Sequence, residues 1–143
     1  MNDRPARPIH LRARYIALVF VGGALGTATR YLLAASIPVW NRLPLTILAV
    51  NVVGPFALGA LLEVLLRRGH DVGMRRTLRL LVGTGFLGGF TTYSTLAVDT
   101  DTLFRQGTPW IAAGYAIATL LLGAAGAIAG IALGRRVTKA SDR

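Results

Sequence analysis

The chain has 143 residues, 53% of them hydrophobic and 15% charged, with 16 Lys and Arg against six Asp and Glu and no cysteine. A soluble domain normally carries about 25% charged residues, so this deficit, with a mean hydropathy of +0.54, excludes most water-soluble classes. Without cysteine there are no disulfides, zinc-thiolate sites or iron–sulfur ligation.

The charges are clustered. Uncharged runs of 20, 19 and 29 residues separate Arg42 from Glu63, Arg79 from Asp99 and Arg105 from Arg135, and a fourth apolar stretch is interrupted only by Arg30. About 20 apolar residues in a helix cross the hydrocarbon core of a bilayer. The expected fold is therefore an all-α integral membrane domain filling residues 1–143, with four transmembrane helices at about 15–35, 45–66, 80–98 and 109–133. A pI of 11.6 would suggest nucleic acid in a soluble protein. Here no basic face survives once the spans are buried, so no nucleic-acid partner is expected. His10 and His70 lie in basic flanks, too far apart in sequence to suggest a metal site.

Residues 1–14 read as a short disordered basic flank. A basic start before an apolar run also fits a signal peptide, but the apolar pattern resumes after Arg30 and Tyr31 and three further spans follow, so it is taken as the first span. Pro38, Trp40, Asn41 and Arg42 form a connecting loop, with Trp40 suited to the membrane interface. Pro44 suits a first helical turn, and Pro55 lies inside the second span, where membrane helices tolerate proline if neighbours re-satisfy the freed carbonyl. Arg67–Arg79 is a basic loop with five arginines. After the third span, Asp99, Asp101 and Arg105 are expected in a short loop, and Thr108–Pro109 supplies a cap and a first-turn proline for the fourth.

Orientation follows from Arg and Lys alone. The N-terminal tail, the second loop and the C-terminal tail hold thirteen, while the opposite loops hold only Arg42 and Arg105. Both termini are expected in the cytoplasm, with a bias too large for dual insertion.

Polar groups inside a span are costly and hence functional candidates. Arg30 would cost about 2.5–3.5 kcal/mol near a helix centre. It shares a helix face with Gly22 and Gly26, which points it either at protein in an aqueous vestibule or, by snorkelling, at the interface. Asn51 shares a face with Gly54 and Leu58, and its amide could glue helices together or line a polar path. Glu63 is expected to pair with an arginine of the basic loop. The third span places Gly83, Gly85, Gly88 and Gly89 directly before Thr91, Thr92, Ser94 and Thr95. Glycine costs about 1 kcal/mol in a helix interior, and non-helical backbone survives in a membrane only where protein covers it or it lines a cavity. That span is accordingly expected to break mid-membrane, as ion sites in bilayers do, with a small-residue packing face as the alternative. In the fourth span Ala116, Thr119, Gly123, Gly126 and Gly130 form a helix-packing stripe, Thr119 being its one candidate pore hydroxyl. No catalytic grouping appears, so no enzyme is expected.

GGALGTATRY (Gly22–Tyr31), NVVGPFALG (Asn51–Gly59) and above all GFLGGFTTYSTL (Gly85–Leu96) together resemble the CrcB/Fluc family of small bacterial fluoride channels. The resemblance implies two four-helix subunits packed antiparallel, with narrow fluoride pathways along their interface, in the cell membrane. It also implies a structural Na+ held, and not transported, by main-chain carbonyls that fall here on Gly88 and Thr91. Hard oxygen ligands suit that cation. The family's pathway uses an Asn amide, matched by Asn51, hydroxyls matched by Ser94 and Thr95, and two aromatic rings whose positive edges face the anion. Those rings fall on Tyr93 and Leu96, and Leu96 has none: it is a degenerate pore position.

Thirteen cations against two fix one orientation, whereas an antiparallel homodimer needs both. The expectation is a heterodimer with an oppositely biased family member that supplies the missing rings, a homodimer being the other arrangement. The function implied is passive fluoride efflux that relieves toxicity. The alternatives are a non-conducting assembly subunit, or a small multidrug-type transporter, which would need a carboxylate in span one where this chain has only Arg30.

Overall fold

The computed structural model describes residues 12–37 and 43–141. His10, the early arginines Arg4 and Arg7, Trp40, Arg42 and Arg143 lie outside the described residues, and so does the interfacial position expected of Trp40.

Nearly all of the described chain is helical. Helix α1 (Ala13–Ser36) ends where Ile37, restricted by the following Pro38, turns extended. Helix α2 (Leu45–Arg67) follows Pro44 and contains Pro55. A short α3 (Gly73–Leu78) runs into a π-helical segment, Arg79–Leu87, and then into α4 (Gly88–Phe90). After a two-residue break come α5 (Tyr93–Arg105) and α6 (Pro109–Ser141). Three helices, α1, α2 and Pro109–Ala140 of α6, are long and apolar enough to cross a membrane. Their large apolar side chains face outward, Phe20, Leu66, Leu121 and Trp110 among them, which in water would be unstable and in lipid is solvation. Buried apolar residues are few. Ile47, Leu96, Leu103, Ala112 and Tyr115 form one cluster where the start of α2 meets α5 and α6.

Glycine lets backbones touch along two seams. On α6, a Cβ at Gly126 would stand 2.8 Å from Val52 O, and one at Gly134 2.9 Å from Ala60 O, so α6 lies directly on α2. Pro55 removes the N–H that would serve Asn51 O, and Gly123 sits against that carbonyl, where a Cβ would be 2.9 Å away. On the second seam Gly22 and Gly26 of α1 are buried against the π-helical segment. A Cβ at Gly85 would come 2.9 Å from both Gly22 Cα and Val19 O.

Several boundaries differ from expectation. Asp99, Asp101 and Arg105 are helical, because α5 runs on to Arg105. An i,i+4 ion pair from Arg105 to Asp101 at 2.7 Å supports that last stretch, and Gly107 (φ +77) takes the left-handed position just beyond. Thr108 stands at the N-cap position of α6, its carbonyl accepting from Ala112 N at 3.0 Å. Its hydroxyl turns back and donates to Leu103 O at 2.7 Å, closing the end of α5. Residues 73–79 are helical rather than loop. Glu63 pairs with Arg67 at 2.6 Å and also with Arg135 of α6 at 3.2 Å.

Asp71 organises the remaining turn. Arg79 donates to it twice, Nε to Oδ1 at 3.0 Å and Nη2 to Oδ2 at 2.7 Å, and Arg76 Nε at 3.3 Å. These hydrogen bonds, that of Arg79 foremost, hold the Asp71 carboxyl below its ordinary value. A lowered folded-state value means that the stabilisation is present above the unfolded value of 3.8 and is lost as pH falls from there through the folded value. Amide-exchange protection factors for residues 69–73 are expected to match between pH 7 and pH 5 and to fall on going to about pH 3, and Asp71→Asn should show the low values at every pH.

Candidate functional site

The helix that begins at Gly73 stops at Phe90, because Thr91 (φ −79, ψ 155) and Thr92 (φ −151, ψ 124) are extended. The four glycines before them stay wound. The interruption therefore falls on two β-branched residues suited to extended backbone, and not on Gly88–Gly89.

Asn51 holds the break from across the molecule. Its Nδ2 donates to Thr92 O at 2.8 Å, and its Oδ1 accepts from Thr92 N at 2.8 Å. The side-chain amide thus does for Thr92 what a neighbouring β-strand would do, and the two partners fix which way it points. An Asn amide carries two N–H donors, and the second has no protein acceptor among the described residues. The Thr92 hydroxyl then caps α5, accepting from Thr95 N at 3.2 Å and lying 3.1 Å from both Ser94 Oγ and Thr95 Oγ1. The positive end of the α5 dipole consequently starts at the break.

The carbonyls released by the break have different fates. Leu87 O keeps its helical donor, Thr91 N, at 3.0 Å. Gly89 O accepts from Arg30 Nε at 3.3 Å and from Thr27 Oγ1 at 3.4 Å, so Arg30 is directed at protein. The helical donor of Gly88 O would be Thr92 N–H, which Asn51 Oδ1 has taken. Thr91 O accepts no hydrogen bond among the described residues. Gly88 is exposed, with nothing within 4 Å of where a Cβ would project.

These groups open onto a groove of about 520 Å³ between α2, the break and α6, which includes Asn51, Gly88, Thr91, Tyr93, Leu96 and Thr119 in its lining. Tyr93 stands at its rim, 78% exposed. Leu96 is only 5% exposed and belongs to the apolar cluster formed with Ile47, Leu103, Ala112 and Tyr115. Thr119 is buried, and its hydroxyl donates to Tyr115 O at 2.7 Å, one helical turn back. Ser94 is exposed and Thr95 half-buried. They lie beside the groove as partners of Thr92 rather than in its lining.

Two contributors escaped the sequence reading. Thr92 appeared there only as one of four hydroxyls, yet its backbone and side chain anchor both sides of the break. Thr27 was not singled out, although it falls between Gly23 and Arg30 on one helix face. The i, i+4, i+7 spacing of those three was the available signal.

Residues 17–131 match the family described as CrcB-like protein, Camphor Resistance (CrcB). The chain is 51% identical over 137 residues to the fluoride-specific ion channel FluC 2 of Leifsonia xyli subsp. xyli, covering 96% of this chain and 94% of that protein. It is 41% identical over 128 residues to the fluoride-specific ion channel FluC of Agrobacterium fabrum, covering 85% and 97%. It is 46% identical over 115 residues to the fluoride-specific ion channel FluC 1 of Cutibacterium acnes, covering 79% and 78%.

Proposed function

Because the chain belongs to the CrcB-like family, and is a multi-pass membrane protein, we propose that it is one subunit of a passive, fluoride-selective channel that lowers cytoplasmic fluoride. Each subunit crosses the bilayer four times, the third crossing being the composite of α3, the π-helical segment, α4 and α5. Its broken middle keeps any single helix there from reaching full membrane length. Two subunits pack antiparallel, so that the open groove of each is closed by the other.

The observation that carries the reading is the lock between Asn51 and Thr92. It presents, in a groove between apolar helices, a free amide N–H, the positive end of α5 and the ring edge of Tyr93. Fluoride is small and strongly hydrated, and a narrow path lined by donors that replace its water favours it over larger anions. The two numbered relatives, FluC 2 and FluC 1, are in keeping with organisms that hold more than one such chain. We therefore place the antiparallel partner as a second family member with the opposite Arg and Lys bias. A half-active or purely assembling role is the second reading. It is favoured by Leu96, which has no ring and is packed into its own core.

Main-chain carbonyls fit a structural sodium ion. Gly88 O has lost its helical donor and Thr91 O accepts none among the described residues, and bare carbonyl oxygens inside a membrane cost several kcal/mol each unless something satisfies them. Gly88 and Thr91 of each subunit would hold the ion, and its positive charge would neutralise four converging carbonyl dipoles. Arg30 and Thr27, by binding Gly89 O, keep the neighbouring carbonyl turned away.

The test is fluoride release from liposomes, read with a fluoride electrode. The chain reconstituted with the oppositely biased partner is expected to release fluoride and retain chloride, to stop when Na+ is replaced on both sides, and to stay closed when reconstituted alone. Efflux from the chain alone would establish a homodimer. No efflux in either preparation would defeat the channel reading.

A further inference from the structure

A second cavity, of about 550 Å³, lies at the arginine-rich end of the molecule, framed by Leu62, Leu65 and Leu66 of α2, the turn at Gly69–Asp71, and Arg75 and Arg79. It shares no lining residue with the groove around the break, and the channel reading gives it no task. Its walls differ in chemistry. Leu62 and Leu66 are exposed, as are Val72 and Met74 close by in the chain, so an apolar surface leads from the cavity along α2.

The other wall is cationic, and its two arginines are held differently. Arg79 is matched by Asp71, which takes its Nε and one Nη2 donor. Arg75 anchors only its Nε, which donates to His70 O at 2.8 Å, and no carboxylate pairs with it among the described residues. Its guanidinium packs on Gly69, which adopts φ +116 and where a Cβ would stand 3.6 Å from Nη2. The turn thus orients Arg75 while leaving both Nη groups without a hydrogen-bond partner among the described residues. Around it, this end of the described chain carries ten Arg and Lys against Glu63 and Asp71.

We infer that this cavity binds an anionic phospholipid, with the phosphodiester on Arg75 and an acyl chain along Leu62 and Leu66. A guanidinium with both Nη groups free matches two phosphate oxygens at once, and basic pockets beside membrane helices suit anionic headgroups. A zwitterionic lipid brings its own cation to the same place, and free phosphate gains nothing from the leucines. Membrane topology accounts for how many cations lie at this end, but not for an oriented, unmatched arginine over a leucine-walled cavity.

The test uses the purified full chain in dodecyl maltoside, titrated with dioctanoyl phosphatidylglycerol, dioctanoyl phosphatidylcholine or inorganic phosphate while thermal unfolding is followed. Phosphatidylglycerol should raise the midpoint saturably, at about tenfold lower concentration than phosphatidylcholine, and inorganic phosphate should not move it. Loss of a charged hydrogen bond in Arg75→Gln should raise the phosphatidylglycerol half-saturation about tenfold. Arg75→Lys, which keeps the charge but cannot bridge two phosphate oxygens, should fall between the wild type and Arg75→Gln, and Arg136→Gln, which removes an equal charge outside the cavity, should stay within about twofold of the wild type.

Equal weakening by Arg75→Gln and Arg136→Gln would reduce the effect to diffuse attraction and overturn the proposal. So would a shift reproduced by inorganic phosphate, or an Arg75→Gln protein that binds phosphatidylglycerol as tightly as the wild type. Native mass spectrometry of the unmutated chain gives an answer that does not depend on the variants folding. One retained phosphatidylglycerol per subunit is expected, and none retained would overturn the proposal.

Discussion

Asn51→Ala is expected to abolish fluoride efflux and to destabilise the subunit by about 2–6 kcal/mol. The range follows from leaving both polar groups of the Thr92 peptide segment without partners, at about 1–3 kcal/mol for each buried group. Thr92 is buried, and in the hydrocarbon region there is little water to replace the lost amide. A return of Thr92 N–H to Gly88 O, its natural helical acceptor, would leave only Thr92 O unpaired and set the cost at the low end of that range, while closing the break. Asn51→Asp separates the two roles of the residue. A carboxylate still accepts from Thr92 N–H, so more of the fold should survive, but it offers no donor to Thr92 O and adds a negative charge where an anion must pass. On the proposed pathway efflux should therefore be lost in both variants, while the denaturation midpoint falls further in Asn51→Ala. Wild-type efflux from Asn51→Ala would mean that the break does not need its lock.

Gly26→Ala should be, with Gly22→Ala and Gly130→Ala, among the most damaging single methyl additions in the described chain. Its Cβ would collide with Phe86 O and stand 2.8 Å from Phe86 C and 2.9 Å from Phe90 N. All three are backbone atoms, so no side chain can rotate away. Overpacking of a yielding core costs about 1–3 kcal/mol, and here α1 must instead leave the π-helical segment. That displacement would also take Arg30 and Thr27 off Gly89 O, linking a packing defect to the break itself. The comparison is Gly114→Ala, where nothing lies within 4 Å of the new Cβ and helix propensity gains about 1 kcal/mol. The monodisperse fraction on size exclusion after solubilisation should collapse for Gly26→Ala and match or exceed wild type for Gly114→Ala. Equal behaviour of the two would sink the close-contact account of the α1 seam.

The elements were readable because a bilayer imposes a length on uncharged segments, and three of the four expected spans correspond to α1, α2 and α6. Arg30 and Asn51 stood out because a polar group in an apolar run is costly wherever it points. The π-helical winding of Arg79–Leu87 was not readable, since glycine-rich sequence suits close packing and irregular backbone alike. The end of α5 was missed because the Arg105–Asp101 pair and the Thr108 hydroxyl act locally, on a scale finer than any hydropathy pattern. The burial of Leu96 was also hidden. A leucine in a span can face lipid, partner or core, and only its neighbours Ile47, Leu103 and Tyr115 decide among them.

By itself, then, the order of residues determined that this is a membrane-embedded helical chain, where three helices long and apolar enough to cross a bilayer lie, and which family it belongs to. Those properties depend on transfer of segments from water to lipid and on local motifs, both of which add up along the chain. Tertiary structure alone decided that the interruption sits at Thr91–Thr92 and which carbonyls it leaves bare. Both follow from an amide 41 positions away taking the hydrogen bonds of Thr92, a competition between partners that meet only once α2 and the broken helix have packed together.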